Sequence, residues 1–381
     1  MSSLYLHIPF CEHKCIYCDF YSIAPREAHQ EEVPIVDRFL RSLEREISLQ
    51  AEHKEFKTDY ETVFFGGGTP SLLSPIQIQS ILSCVRSRFD LRANAEVTLE
   101  TNPGTVDAAK LEGFREAGVN RLSVGIQSFH DDDLKFLTRI HSSEQARRTL
   151  RDAFEAGFVN VSLDLIFALP GQTLERWKSN LAQAIALQPT HISCYSLIIE
   201  PNTPLKRMVE TRQAAMLSPE LDAEMYDAAI EFLARNGYEQ YEVSNFAKPG
   251  FRSRHNGNYW NHANYLSFGP SAHSFWNGRR WWNVANLVNY CERVEAGRLP
   301  VAGEERLGAR ELAEEFIFLG LRGEGLDLQR LKREYAVDLR SEYVSTLRHL
   351  ADDGLASIEN EKLCLTPKGY ALCDEICASF R

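Results

Sequence analysis

The sequence predicts an α/β protein: a (β/α)6 partial TIM barrel followed by a small C-terminal winged-helix-like α+β domain. Three observations carry this. Through the first two hundred residues, short apolar runs alternate with longer amphipathic segments, the pattern of repeated βα units on a parallel sheet. Six such units are read, too few to close an eight-fold barrel. The glycine-rich and charged motifs fall at or beside the C-terminal ends of these strands, where such a sheet places its active groups.

In chain order, strands are expected at 4–8, 61–66, 95–100, 121–126, 161–166 and 191–197. Helices are expected between them at 33–52, 75–89, 106–117, 131–136, 142–157 and 174–187, several opening on Ser, Thr or Asp as N-caps. One more helix, 219–236, precedes an interval dense in aromatic, Asn and Gly residues, which is expected to be rich in loops. Helical segments at 308–319, 327–334 and 338–353, a hairpin from Ala356 to Thr366 and a last helix then give the winged-helix pattern. The expected division is a barrel over 1–235, an aromatic-rich loop region over 236–302 and a C-terminal domain over 303–381.

With 381 residues, 44% of them hydrophobic and 25% charged, the chain has ordinary globular composition and enough length for a substantial core. A net charge of -11 opposes sequence-independent nucleic-acid binding. Acidic and basic residues mix along 324–353, so the C-terminal domain offers no basic recognition helix; a lid or protein-docking role suits it better. No apolar run reaches the ~18 residues of a membrane span, and no basic-then-apolar leader opens the chain, so a cytoplasmic protein is expected.

Three of the nine cysteines crowd into Cys11-x3-Cys15-x2-Cys18, which is not how a disulfide scaffold of a large chain looks. Three thiolates on one loop can hold three corners of a cubane 4Fe-4S cluster and leave the fourth iron open. Zinc is the competing ion, but a closed zinc site needs four ligands, no second cysteine pair follows, and His13 would be a cramped fourth. Plain packing is the remaining alternative. The other cysteines, 84, 194, 291, 364, 373 and 377, lack metal spacing and are expected to pack, although Cys373 and Cys377 share a helical face.

The run Tyr5-Leu-His-Ile-Pro-Phe-Cys11-Glu-His-Lys-Cys15-Ile-Tyr17-Cys18-Asp-Phe20 resembles the signature of the radical S-adenosylmethionine superfamily. The resemblance implies that S-adenosylmethionine chelates the open iron, with Tyr5 and Tyr17 among its neighbours. Gly66-Gly67-Gly68-Thr69, after an apolar strand, lets backbone groups approach a ligand closely, and Gly67, Gly68 and Thr69 resemble the superfamily loop that holds the methionyl ammonium. Glu100, Gln127, Arg139 and Asp164 end or follow apolar strands, where a buried charge needs a partner. By similarity these four bind the cofactor's ribose and carboxylate; the less favoured alternative for each alone is a structural ion at the barrel mouth.

Within the superfamily the chain resembles the branch that holds oxygen-independent coproporphyrinogen III dehydrogenases and heme chaperones. The dehydrogenase pattern has a fourth cysteine where this chain has Phe20, and a segment of several dozen residues before its first strand; both differences favour the chaperones. Arg254-His255-Asn256-Gly-Asn-Tyr259-Trp260 matches the His-Asn-x-x-Tyr-Trp motif associated with heme in that family. His255 is then expected to ligate heme iron, with His262 and His273 as alternatives, and Tyr259 and Trp260 to wall the porphyrin. Trp276, Trp281 and Trp282 lie nearby, as a further wall or as core. Arg252, Arg254, Arg279 and Arg280 are available for propionates.

The resemblance implies a chaperone passing heme to an acceptor hemoprotein, such as one of the membrane respiratory chain, with an electron donor for the cluster, no nucleic acid and homodimerisation left open. The alternatives are decarboxylation of coproporphyrinogen III by a 5'-deoxyadenosyl radical, and another radical modification of a porphyrin.

Overall fold

Six strands in sequence order carry the architecture: β1 (Ser2–Ile8), β2 (Asp59–Gly67), β3 (Asp90–Thr101), β4 (Arg121–Gln127), β5 (Asn160–Phe167) and β6 (His191–Ser196). Each pairs in parallel with the next. Their connections carry α1 (Ile35–Ala51), α2 (Pro75–Arg88), α3 (Ala108–Glu116), α4 (Asp131–Phe136), α5 (Ser143–Glu155) and α6 (Leu174–Ala186). The computed structural model describes residues 2–23 and 35–380, so the expected helix start at Val33 lies outside the described residues.

The caps explain the helix boundaries. Ser74 and Ser142 close capping boxes with Gln77 and Gln145, and Asp107 and Thr173 accept the first-turn N–H groups of Lys110 in α3 and Arg176 in α6. One row of each strand, such as Leu4, Leu6 and Ile8 of β1 and Leu163 and Leu165 of β5, is fully buried in the core beneath the helices.

The interval expected to be loops is instead largely ordered on the same sheet. After α7 (Pro204–Glu210) and α8 (Pro219–Arg235) come β7 (Glu239–Gln240), β8 (Asn245–Ala247), α9 (Arg254–Trp260), β9 (Asn264–Phe268), β10 (His273–Trp276), β11 (Arg279–Asn283), α10 (Leu287–Glu295) and β12 (Val301–Arg306). The sheet order is β12-β11-β10-β9-β1-β2-β3-β4-β5-β6-β8-β7. β9 runs parallel to β1, and β8 antiparallel to β6, so β1 and β6 do not pair and the barrel stays open.

The remaining chain forms α11 (Ala309–Arg322), β13 (Leu326–Asp327), α12 (Leu328–Tyr335), α13 (Leu339–Glu342), α14 (Val344–Asp352), β14 (Ala356–Glu359), β15 (Lys362–Leu365), α15 (Pro367–Ala371) and α16 (Cys373–Ala378). The expected helix 338–353 is broken at Tyr343, whose φ of -122° and ψ of 37° leave the helical region. The expected last helix is likewise two, split at Leu372. These elements share a hydrophobic cluster of their own, including Leu321, Leu331 and Leu363.

Candidate functional site

The cysteine loop is strapped across the mouth of the open barrel. Cys11 N–H donates to Ile23 O at 3.0 Å, and Ile16 N–H to Thr138 Oγ1 at 3.2 Å; Leu205 N–H donates to Ile16 O at 2.9 Å. Ile16 and Tyr17 pack on an apolar cluster of Leu137, Ile166 and Leu205. The glycine loop is stitched to the same segment, with Gly68 N–H on Ile8 O at 2.8 Å and Thr69 N–H on Phe10 O at 2.7 Å. A Cβ on Gly68 would lie 2.6 Å from Phe10 O, so only glycine allows this approach.

Behind the loop is a cavity of about 460 Å³. Tyr17, Cys18, Gly67, Gly68, Thr69, Glu100, Gln127, Arg139 and Asp164 all line it, although they come from most of the barrel strands and their following loops. Tyr5 lies one layer away, beside Gly66. Cys11 Sγ is 3.4 Å from Thr69 Oγ1, and Arg139 donates to Cys15 Sγ at 3.6 Å and to Gly125 O at 2.7 Å.

Burial, with the charge of Asp164, pushes the Glu100 carboxyl up to about 8, although Gly67 N–H donates to it at 3.2 Å. Burial raises Asp164 too, opposed by Ser193, Arg121 and Ser123. Burial pushes the Cys18 thiol up to about 11, with Cys15 and Cys11 adding, a crowding that a bound cation relieves.

These residues fit a 4Fe-4S cluster and its ligand. All three thiols are unbridged, Arg139 leaves a buried Nε without a hydrogen bond, and the cavity presents carboxylates to a hydroxyl-bearing ligand. Among the described residues no three His, Cys, Asp or Glu side chains converge as one ion requires. A cubane takes one thiolate on each of three irons, which three cysteines on one loop can supply. Arg121 and Ser123 escaped the sequence reading. Their signal was polar residues opening the apolar β4, and Arg121 is the buried cation that steadies both carboxylates.

The His-Asn-x-x-Tyr-Trp segment is α9, and it plugs the barrel from the end opposite the cysteines. Its N-terminal Arg254 and His255 N–H groups donate to Glu96 at 3.2 and 3.1 Å, and Asn258 Nδ2 donates to Ser3 Oγ at 2.6 Å. His255 is buried, its ring stacked on Phe64 at 4.8 Å. Nδ1 is hydrogen-bonded to Thr62 Oγ1 at 2.7 Å and Nε2 to Tyr259 Oη at 3.0 Å. Burial lowers its pKa to about 3. The imidazole expected to ligate iron thus has neither nitrogen free.

The other expected heme contacts divide similarly. Trp276 and Trp281 pack on Phe56 in the core, and Trp260 packs against Gly323. Arg252 pairs with Glu239 and Glu324, Arg254 with Glu61, Arg279 with Glu304, and Arg280 with Glu305 and Glu315. None of these four guanidiniums is uncommitted. Tyr259, however, lines a second cavity of about 380 Å³ beside the first, and the two share Asp19 and Phe20 on their rims. Its floor is one face of three adjacent strands: Tyr5 and His7 of β1, Tyr265 and Ser267 of β9, and His273 of β10.

The Radical SAM superfamily model matches residues 5–183, and that of the HemN C-terminal domain residues 307–372. The chain is 36% identical to the heme chaperone HemW of Bacillus subtilis, covering 100% of this chain and 99% of that protein. It is 33% identical to the heme chaperone HemW of Lactococcus lactis, covering 100% and 97%. Among solved structures it is similar to coproporphyrinogen III oxidase (HemN) from Escherichia coli, a radical SAM enzyme, with TM-score 0.83 and 26% identity over 100% of this chain and 89% of that one.

Proposed function

The chain belongs to the heme chaperone HemW family of radical SAM proteins, and on that premise we propose that it binds heme beside its cofactor site and hands it to an acceptor hemoprotein. Membership brings with it a 4Fe-4S cluster and S-adenosylmethionine. The observation that carries the reading is the end-to-end likeness to heme chaperones; the second, aromatic-walled cavity beside the cofactor cavity supports it.

The cluster, when bound, supplies an open iron for the methionyl group and an electron for cleaving its sulfonium. Cys11, Cys15 and Cys18 are its proposed ligands. Gly67 and Gly68 bring backbone groups to the methionyl ammonium, with Thr69 and Tyr17 beside them. Arg139 pairs with the methionyl carboxylate while holding the Cys15 thiolate, and Glu100 and Asp164 accept from ribose hydroxyls, which meets the burial demand on both carboxylates. Gln127, held at φ 69°, turns its amide toward the same cavity.

The finer part of the proposal is that the acceptor is a respiratory hemoprotein at the cytoplasmic face of a membrane, and that a separate electron donor reduces the cluster. Among the described residues no helix is long and apolar enough to cross a membrane, so this chain would reach such an acceptor from the surface. A second reading, coproporphyrinogen III dehydrogenation, draws on the HemN-like fold. Against it stands Phe20, where that enzyme's pattern carries a fourth cysteine.

The deciding experiment is anaerobic. The reconstituted protein is given coproporphyrinogen III with S-adenosylmethionine, and in parallel is titrated with heme and mixed with an apo-b-type cytochrome. Stoichiometric heme binding and transfer with no porphyrinogen turnover is the expected result. Turnover without heme binding would overturn the chaperone assignment.

A further inference from the structure

Resting on the chaperone reading, we propose that heme seats in the second cavity with His273 as its axial ligand, and that His255 is a positioning residue which never touches the iron. An axial imidazole must offer an unshared nitrogen to the metal. Four histidines lie on or behind this face. Besides His255, already engaged at both nitrogens, His7 is buried with Nε2 on Tyr21 O at 2.9 Å and Nδ1 on Tyr5 Oη at 3.3 Å. His262 is buried with Nε2 facing the Glu315 carboxylate at 3.3 Å and Nδ1 the Tyr335 hydroxyl at 3.4 Å. His273 alone among them is exposed, and among the described residues neither of its nitrogens is hydrogen-bonded.

The surroundings suit a flat aromatic ligand. His273 is steadied by stacking on Trp282 at 5.9 Å and 24°, which fixes the ring plane without using a nitrogen. Partial burial and the nearby Arg280 lower its pKa, favouring the neutral form that ligates. Tyr5, Tyr259 and Tyr265 wall the cavity, and the Phe20 ring, 62% exposed on the rim, gains an apolar cover when a macrocycle arrives. His255 then serves by pinning Tyr259, through the 3.0 Å hydrogen bond, into that wall.

The test is heme titration of the anaerobically reconstituted full chain, followed as the Soret difference spectrum, for wild type and for His273→Ala, Phe20→Ala and the remote His349→Ala. The expected result is an imidazole-ligated spectrum in wild type and His349→Ala. For His273→Ala we expect at least tenfold weaker binding and a spectrum lacking that ligand, which added free imidazole restores. Phe20→Ala weakens binding but keeps the ligated spectrum, and iron-free protoporphyrin binds at least tenfold more weakly than heme to wild type. A wild-type Soret spectrum in His273→Ala, or iron-free porphyrin binding as tightly as heme, overturns the site alone. Absence of heme binding in wild type overturns the chaperone reading and the site with it.

Discussion

Gly68 shows how much of the cofactor site rests on single atoms. Its missing side chain lets the glycine loop lie on the segment entering the cysteines, and the Gly68→Ala Cβ would press on the backbone oxygen of Phe10, which has no rotamer to change. We expect Gly68→Ala to fold but to bind S-adenosylmethionine at least tenfold more weakly and to retain less iron after reconstitution, measured by equilibrium dialysis and iron analysis. The cavity residues were legible in the sequence because charges such as Glu100 and Asp164 interrupt apolar strands in their C-terminal halves. Arg121 was not, because it opens its strand and meets those carboxylates only through the fold. Nor could sequence reveal that His255 is already satisfied: its partner Thr62 lies on β2, far away in the chain, and a motif states which residues occur together but not which nitrogen is free.

Buried polar contacts tie the elements together. Glu46 on α1 is wholly buried and accepts from Tyr290 Oη at 2.6 Å, Asn283 Nδ2 at 2.6 Å and Gly269 N–H at 2.8 Å, joining α1 to α10, the end of β11 and the turn after β9. Burial pushes its pKa up to about 7 from 4.5, the hydrogen bonds opposing. Between those values the folded state holds a proton that the unfolded chain has lost, so this group's contribution falls as pH rises through that window. Glu46→Gln should flatten that part of the pH profile in urea unfolding. Asn258→Ala leaves the buried Ser3 hydroxyl without its donor and should lower stability by about 1–3 kcal/mol, with faster amide exchange confined to α9 and its neighbours. The six βα units were legible at this scale because each is long and periodic. β9 to β12 were not: they span four to six residues among turn formers, and β9 gains its strand character from lying beside β1.

At the scale of the whole molecule, two hydrophobic clusters are bridged by polar contacts, among them Arg280 of β11 on Glu305 of β12 and Glu315 of α11. Arg280→Met should lower the unfolding free energy by about 1 kcal/mol, since the group is partly exposed, and shift melting by a few degrees in calorimetry. The open sheet has a consequence for how the protein is made. β1, which leads directly into the cysteine loop, is hydrogen-bonded on both sides, and its outer neighbour β9 ends at Phe268. At ~5–20 residues per second, roughly 10–50 s of synthesis separate the two. Through that time Leu4, Leu6 and Ile8 stand at an unfinished edge. Iron loaded on the ribosome would meet a half-built cradle, so cluster insertion belongs after the chain has been released, and ribosome-stalled chains ending before residue 264 should fail to retain iron that full-length chains keep.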